Sequence, residues 1–296
     1  MLPAAGPAQH PLRVGLKVYQ QVHSIHALRQ LWQLVEAAGF DHIWPYDHLV
    51  AHGNPRASIF DGWTILASIA ETTHRIRFGL NVSGNLYRHP AQTAKIAVTI
   101  DHLSGGRLEM GIGAVRDGDE FAAFGLVFPP IAERIAMLDE ACTVIRRLWT
   151  EPAVTFAGRF YQLAGAVAEP KPVQRPHPPI WIGGSGAHRT LRVVARQADV
   201  WNSNASTIAE SARLSKLLDG YCLELGRDPQ AIRRSVGIRM YQAQDPLDQA
   251  RNAIASGFTE LIINFGSSRE DPRRDLEDAA ALLPAIRNLR PTQQAS

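Results

Sequence analysis

The adjacent residues Asp47 and His48 are the first candidates for acid–base chemistry in this sequence. They close a predicted strand, and side chains at the carboxyl ends of parallel strands commonly face the ligand. A carboxylate beside an imidazole can bind a ligand or transfer protons near neutral pH. A purely structural hydrogen bond between the two is the alternative. If the pair is catalytic, we expect His48 to handle the proton and Asp47 to orient it.

A glycine-rich turn containing Gly183, Gly184 and Ser185 follows another predicted strand and leads toward a helix predicted near His188. Backbone N–H groups in such a turn, ahead of a helix, can hold an anion such as phosphate. A tight turn that simply requires glycine is the structural alternative. Ala187 stands where a GxSxG nucleophile elbow needs its last glycine, so Ser185 is a poor nucleophile candidate.

Two further strand ends are candidates for ligand binding. Gly111 to Arg116 begins like a dinucleotide-binding fingerprint, but Arg116 replaces the third glycine and the next helix signal is displaced, which disfavours a Rossmann site. Gly113 and Ala114 still allow a flat ligand to approach the backbone. The third predicted strand ends in Gly79 to Asn85, which includes Asn81 and Val82 and is more polar than a core needs. Ligand hydrogen bonding and a strained backbone are both consistent with such a stretch.

The sequence gives no indication of a metal site. Its eleven histidines include no HxH or HExxH pattern, and its two cysteines, Cys142 and Cys222, form no CxxC pair. These are the spacings that structural and catalytic zinc sites use. We therefore expect neither a bound metal nor a disulfide scaffold.

Eight short apolar runs alternate with helix-length amphipathic stretches. This rhythm predicts βαβ units with a parallel sheet, and eight units in under 300 residues predict an α/β fold of the (β/α)8 TIM-barrel type. We expect one domain over residues 1–296, with an irregular insertion at about 151–179 that lies over the carboxyl-terminal face. The predicted strands are Arg13–Tyr19, His42–His48, Ile76–Val82, Leu108–Ala114, Ile180–Gly184, Val200–Ser203, Ser235–Tyr241 and Glu260–Phe265.

Composition narrows the class of protein. The 296 residues carry 31 Lys+Arg and 28 Asp+Glu, a formal charge of +3, and this balance disfavours a nucleic-acid-binding protein. There is no run of 18 apolar residues for a membrane span and no signal-peptide pattern at the start. These features predict a soluble, cytoplasmic protein with no membrane or nucleic-acid partner.

Several of these segments, in this order, resemble the bacterial luciferase-like superfamily, and in particular its deazaflavin-dependent oxidoreductase branch. Each segment alone is weak, whereas the set, covering roughly residues 13–203, is specific. The matching segments are Gly39-Phe40-Asp41 to Asp47-His48, Arg88-His89-Pro90, Asp101 to Arg107 with Gly111 to Ala114, Pro178 to Gly184, and Ala198-Asp199-Val200-Trp201-Asn202.

The resemblance implies a barrel that binds coenzyme F-420, or alternatively FMN, at its carboxyl-terminal end. It implies a non-prolyl cis peptide bond at Asn81–Val82 behind the cofactor ring, with Gly113 and Ala114 beside the ring. The turn of Gly183, Gly184 and Ser185 would hold the cofactor phosphate. A possible homodimer is also implied.

One position departs from the resemblance. The sugar-phosphate dehydrogenase branch implies an acidic catalytic residue near position 116, where this sequence has Arg116. We therefore expect Arg116 to contact an anionic substrate or the cofactor tail. Glu120 is the nearest glutamate, and we group it with Arg116.

Three functions are consistent with these residues. The first is a coenzyme F-420-dependent oxidoreductase that exchanges hydride with a small organic substrate. The second is an FMN-dependent luciferase-like monooxygenase, which uses the same barrel and phosphate turn but requires oxygen. The third is a catalytically silent flavin-binding protein, which would bind cofactor without turnover.

Overall fold

Strands and helices alternate through most of the computed structural model, which describes residues 10–21, 24–266 and 271–289. The sequence predicted no signal peptide. The first residues of the chain, on which that prediction depends, lie mostly outside the described ranges. The strands are β1 (Arg13–Lys17), β2 (His42–Trp44), β3 (Arg77–Phe78), β4 (Ser83–Gly84), β5 (Met110–Gly113), β6 (Val154–Ala157), β7 (Gln162–Ala166), β8 (Ile180–Gly183), β9 (Val200–Ser203), β10 (Arg233–Arg239) and β11 (Glu260–Asn264). The α-helices are α1 (Ile25–Ala37), α2 (Gly62–Thr72), α3 (Pro90–Leu103), α4 (Asp119–Ala123), α5 (Ile131–Thr150), α6 (Thr190–Gln197), α7 (Ile208–Glu224), α8 (Pro246–Ala255) and α9 (Pro272–Arg287).

Nine of these strands form one parallel sheet in the order β3-β2-β1-β11-β10-β9-β8-β5-β4. The two outer strands, β3 and β4, are successive in the chain and are separated by only four residues, 79–82. Phe78 in β3 also forms a parallel bridge with Leu108, just before β5. The protein is therefore an α/β fold with a curled parallel sheet.

Each predicted sheet strand contains observed strand, and two of them are shortened most. The predicted strand His42–His48 pairs only as far as Trp44, and Pro45, which has no N–H to donate to a ladder, follows it. The predicted strand Ile76–Val82 is interrupted: it pairs as β3, and pairing resumes at β4. The residues between them include the cis peptide bond Asn81–Val82, which the resemblance implied.

Local signals explain where several helices begin and end. Ser24 caps α1, because its hydroxyl accepts a hydrogen bond from the Ala27 N–H at 3.1 Å. Gly39 follows that helix with φ of +92°, a conformation that favours glycine. Pro90 occupies the first turn of α3, where a missing N–H costs nothing. No helix in the described ranges is long and apolar enough to span a membrane.

The inside of the curled sheet is layered. Its middle layer is an apolar cluster of Trp44, Trp181, Val200 and Ile262, all at most 3% exposed. The layer toward the amino-terminal strand ends is a charged cluster instead, which we call the buried ion cluster. It consists of Arg13, His42, Arg77, Glu109, Arg233 and Glu260.

Two glutamates lie at the centre of the buried ion cluster. Glu260 accepts bidentate hydrogen bonds from Arg13 at 2.7–3.0 Å and another from Arg233 at 2.6 Å. Burial alone would raise the pKa of Glu260. The hydrogen bond from His42 and the charges of His42, Arg13 and Arg233 outweigh burial and lower the pKa to about 2. This cluster lies at the amino-terminal ends of the strands. The candidate site residues lie at the opposite, carboxyl-terminal ends.

The segment 151–179 contains the two-stranded hairpin β6–β7. The hairpin lies against α5, where the Glu140 carboxylate accepts hydrogen bonds from three hairpin backbone N–H groups, including that of Tyr161. The Tyr161 hydroxyl also accepts a hydrogen bond from Asn85 Nδ2, just beyond β4, at 3.1 Å. Gln174 bonds Asp101 and the Leu108 carbonyl near the amino-terminal strand ends. The expected position of this segment over the carboxyl-terminal face stays a prediction.

Candidate active site

A cavity of about 760 Å³ opens at the carboxyl ends of the parallel strands. None of its lining residues within the described part of the chain comes from the segment 151–179. The lining includes ten of the eleven predicted site residues: Asp47, His48, Asn81, Val82, Gly113, Ala114, Arg116, Gly183, Gly184 and Ser185. Distant parts of the sequence thus meet at one concave surface, which is the usual location of a ligand site in such folds.

His48 is paired with Glu120. Its Nδ1 lies 2.8 Å from Glu120 Oε1, and the Leu49 backbone N–H donates to Glu120 Oε2 at 2.8 Å. The Tyr87 hydroxyl donates to Glu120 Oε1 as well. Because the carboxylate accepts from His48 Nδ1, the other ring nitrogen, Nε2, is free to act on a ligand. The His48 side chain is 34% exposed and lines the cavity.

Tyr87 supports this pairing as a neutral donor. Burial, together with the hydrogen bond to Glu120, raises the pKa of the Tyr87 hydroxyl well above its usual range. Its ring stacks on Phe121 in α4 at 4.8 Å between centroids. Tyr87 therefore keeps its proton and holds the Glu120 carboxylate toward His48.

Asp47 does not orient His48, which corrects the expectation from the sequence. Its Oδ2 accepts hydrogen bonds from Ser83 Oγ and Arg88 Nη1, each at 2.7 Å. Burial raises the pKa of this carboxyl, and Arg88 opposes that effect. Successive residues of an extended chain project to opposite sides, so adjacency in sequence did not bring the Asp47 carboxylate to the imidazole.

Glu120 likewise does not face a substrate or a cofactor tail. Both of its carboxylate oxygens are used within the protein, and its side chain is only 5% exposed. Arg116, with which it was grouped, lies at the cavity rim with an 82% exposed side chain and pairs with Asp117. Val115 precedes it with φ of 61°, a conformation unusual for a β-branched residue and concentrated at functional sites.

Val82 forms part of the cavity wall, and two glycines make room for it. A Cβ atom on Gly113 would lie 2.7 Å from Val82 Cγ2, and one on Gly183 would lie 2.8 Å from Val82 Cγ1. The Val82 methyl groups therefore occupy the space that side chains at these two strand ends would need. Ala114 continues this surface along the cavity. A flat ligand can lie against such a surface.

The turn from 183 to 189 presents backbone donors. The amide N–H groups of residues 185–189 donate no hydrogen bond within the described part of the protein. The turn itself is fixed: Gly184 N–H donates to the Asn202 carbonyl at 3.1 Å, and Trp201 Nε1 donates to the Gly184 carbonyl at 2.8 Å. Ser185 Oγ donates to Asn204 Oδ1 at 2.6 Å. This arrangement ahead of α6 matches an anion cradle.

Sequence reasoning missed several polar residues that line the cavity. Lys17 and Tyr19 lie at and just beyond the end of β1, and Asn202 donates to Ser235 at 2.9 Å while accepting from Asn81 at 3.2 Å. Alternation along the predicted first strand could have found Lys17 and Tyr19, since both fall on the same face as Gly15, next to the ring of His42. Within the described residues, no group of three or more His, Cys, Asp or Glu side chains is placed to hold a metal.

The His48–Glu120 pair makes a testable prediction about the imidazole tautomer. We expect Glu120→Gln to shift the Nδ1-H to Nε2-H ratio of neutral His48 by about tenfold or more, because a hydrogen bond to a charged group contributes about 1.5–3 kcal/mol. The measurement is the pair of imidazole nitrogen chemical shifts by nitrogen-15 NMR. Asp47→Asn is the matched control and should leave those shifts unchanged. A large shift in Asp47→Asn alone would contradict the assignment.

The sequence of this chain is similar to those of several known proteins. The luciferase-like monooxygenase family model matches residues 8–293. A Mycobacterium tuberculosis H37Rv protein named only as uncharacterised is 33% identical over 226 residues, covering 76% of this chain and 74% of the relative. An F420-dependent glucose-6-phosphate dehydrogenase of Kineococcus radiotolerans is 29% identical over 273 residues, covering 88% and 77%.

The fold of this chain is similar to that of solved F420-dependent enzymes. An F420-dependent secondary alcohol dehydrogenase, solved in complex with an F420–acetone adduct, superposes with a TM-score of 0.82. The match covers 94% of this chain and 100% of that chain at 18% identity. At this identity the likeness concerns the fold alone.

Proposed function

Because the chain belongs to the luciferase-like monooxygenase family, we propose that it is an oxidoreductase that binds coenzyme F-420 and exchanges hydride with a small organic substrate. The observation that carries this proposal is the cavity, where the wall formed by Val82, an anion cradle and the His48–Glu120 pair meet. The F420-dependent relative from Kineococcus supports the choice of cofactor.

The proposal includes a closed (β/α)8 barrel in a single domain. The edge strand β3 lies within the predicted strand Ile76–Val82, and β4 follows directly after it. Both lie beside the chain of β5: Phe78 bridges Leu108, and Ser83 and Gly84 pair with Ile112 and Gly113. Closure through this interrupted strand would give eight parallel positions. The homodimer and the cytoplasmic location expected from the sequence stay predictions.

The residues present fit a phosphate-bearing, flat-ringed cofactor. Gly113 and Gly183 leave the wall around Val82 free of obstructing side chains, so a ring system could lie against it. The free N–H groups of residues 185–189 would hold the phosphate of the tail. The exposed Arg116 at the rim would contact the anionic end of the tail or an anionic substrate.

The chain's own contribution is to position reactants and to move a proton. Coenzyme F-420, when bound, supplies a ring carbon that accepts or donates the hydride. For an alcohol substrate, His48 Nε2 takes the hydroxyl proton as the hydride leaves the carbon. In the reverse direction, Nε2 returns the proton to the carbonyl oxygen. Glu120 stabilises the charged imidazolium, and Val82, Val115, Ile131 and Ile135 give the cavity apolar walls that limit water.

An FMN-dependent monooxygenase is the second candidate, favoured by the description of the matching family. The same cradle would hold the FMN phosphate. The two functions differ in their need for oxygen, since reduced flavin forms an oxygen adduct and the deazaflavin does not form one readily.

Parallel titration of the purified protein with coenzyme F-420 and with FMN, followed by ring fluorescence, tests the proposal. We expect micromolar binding of F-420, and oxygen-independent turnover in a panel that includes secondary alcohols and sugar phosphates. Tight binding of FMN alone, with turnover that consumes oxygen, would support the monooxygenase instead. Binding of F-420 without any turnover in a broad panel would favour the silent binding protein.

The anion cradle makes its own prediction through Gly184. This residue has φ of +145°, which side chains rarely adopt, and a Cβ atom there would lie 2.8 Å from Thr190 Cγ2. We expect Gly184→Ala to weaken F-420 binding by about tenfold, since backbone strain of 1–3 kcal/mol would shift the turn. Gly220→Ala in α7, where the added methyl meets no atom within 4 Å, is the control. Equal affinity in both variants would place the phosphate elsewhere.

A further inference from the structure

Lys17 is a cation at the cavity that the proposed reaction does not yet use. It is the last residue of β1, and its Nζ donates to the backbone carbonyl of Asn81 at 3.2 Å. That carbonyl belongs to the peptide group between Asn81 and Val82. The ammonium therefore lies beside the part of the cavity wall that Val82 forms. Lys17 itself lines the cavity and lies 5.6 Å from the centroid of the Tyr19 ring.

The Lys17 ammonium has fewer hydrogen-bond acceptors in the described protein than it has N–H donors. A lysine has three N–H donors, and within residues 10–21, 24–266 and 271–289 Lys17 has one acceptor and no ion pair. Lys171 offers a contrast, because its ammonium bonds the carbonyls of Leu148, Glu151 and Ala168. Burial lowers the pKa of Lys17 to about 8, which fits a cation short of partners.

Among the described residues, no group forms an ion pair with Lys17. Burial raises the pKa of Tyr19 and of Tyr46 to about 12, so both phenols are neutral. The carboxylate of Asp47 is paired with Arg88. Behind the strand, Asp275 of α9 lines a separate small cavity with Lys17, and no ion pair joins the two in the described structure.

We propose that Lys17 binds negative charge on the ring of the deazaflavin held against Val82, and so contributes to cofactor affinity and to the electronic state of the ring. This inference rests on the proposed function. A ring is favoured over the phosphate tail because the free backbone donors for a phosphate lie at 185–189, whereas Lys17 contacts the carbonyl next to Val82. The deazaflavin ring carries carbonyl oxygens and, when deprotonated, a delocalised negative charge, and a positive group near such a ring tunes its electronics.

The first measurement is cofactor affinity in matched variants. We expect Lys17→Met to weaken F-420 binding by at least about tenfold, the effect of losing a charged hydrogen bond, and Lys17→Arg to retain most of the affinity. Lys216→Met is the control, because Lys216 is exposed on α7. Unchanged affinity in Lys17→Met would overturn the inference.

The second measurement observes Lys17 directly in the unmutated chain. The sequence has only four lysines, at 17, 95, 171 and 216, so methylation with carbon-13 formaldehyde gives few NMR signals to assign. We expect the Lys17 signal to move, and its pKa to rise, on addition of F-420 or of the phosphate-free 8-hydroxy-5-deazariboflavin. The Lys216 signal should stay in place.

The outcomes distinguish a failure of the Lys17 inference from a failure of the proposed function. A Lys17 signal that moves with inorganic phosphate but not with the phosphate-free deazaflavin would assign Lys17 to the tail and overturn the inference. A signal unmoved by bound F-420 would also overturn it, while leaving the proposed function intact. Failure of F-420 to bind the unmutated protein would overturn the proposed function and this inference together.

Discussion

Replacing His48 with alanine is expected to lower turnover by about 10²- to 10⁴-fold, which is the usual contribution of a positioned general acid or base. Its Nδ1 lies 2.8 Å from Glu120, so the proposed mechanism assigns the proton exchange with substrate to Nε2. The binding of coenzyme F-420 should change little, because the wall formed by Val82 and the anion cradle are untouched. The measurement is single-turnover change in deazaflavin absorbance with the best substrate of the panel, alongside the titrated affinity.

His52 provides a matched control for this variant. It also lines the cavity, and its ring lies 6.2 Å from that of His48, but it is not bonded to Glu120. His52→Ala should therefore retain most of the turnover. Added imidazole should restore part of the activity of His48→Ala by occupying the space that the side chain leaves. A fully active His48→Ala protein would remove the residue from the mechanism.

The second large effect concerns the buried ion cluster at the opposite end of the sheet. We expect Glu260→Ala to lower the free energy of unfolding by about 3–5 kcal/mol, since it leaves the largely buried Arg13 and Arg233 with Glu109 as the one remaining carboxylate of the cluster. The measurement is urea unfolding at neutral pH. Glu224→Ala is the control: its pair with Arg192 is exposed on both sides, so it should cost no more than about 1 kcal/mol.

The lowered pKa of Glu260 also predicts how the free energy of unfolding changes at acid pH. Its pKa is about 2 in the folded protein, below the usual 4.5, so the folded form binds its proton less readily than the unfolded form. The stabilisation, about 3 kcal/mol, is complete above pH 4.5 and is lost as the pH falls toward 2. Glu260→Gln should lose correspondingly less stability over that range. An identical acid profile in both proteins would contradict this role.

The order of elements and the candidate strand ends could be predicted from the sequence, because the signals are local. Apolar runs separated by amphipathic stretches predicted the parallel sheet, and Ser24 and Gly39 marked the ends of α1 as the structure has them. Position at strand ends brought ten of the predicted residues to one cavity, since parallel strands present their carboxyl ends at the same side of a sheet.

Side-chain partners were decided by the tertiary structure. His48 and Asp47 are neighbours in sequence, yet His48 pairs with Glu120, 72 positions away, and Asp47 pairs with Arg88. The hairpin β6–β7 lies beside α5 because Glu140 offers acceptors there. Lys17 lines the cavity because β1 ends there, and its acceptor in the described structure is the carbonyl of Asn81, 64 positions away. The sequence by itself determined which backbone segments form and in which order, whereas the curled sheet decided which charges face one another, because that depends on packing between segments far apart in the chain.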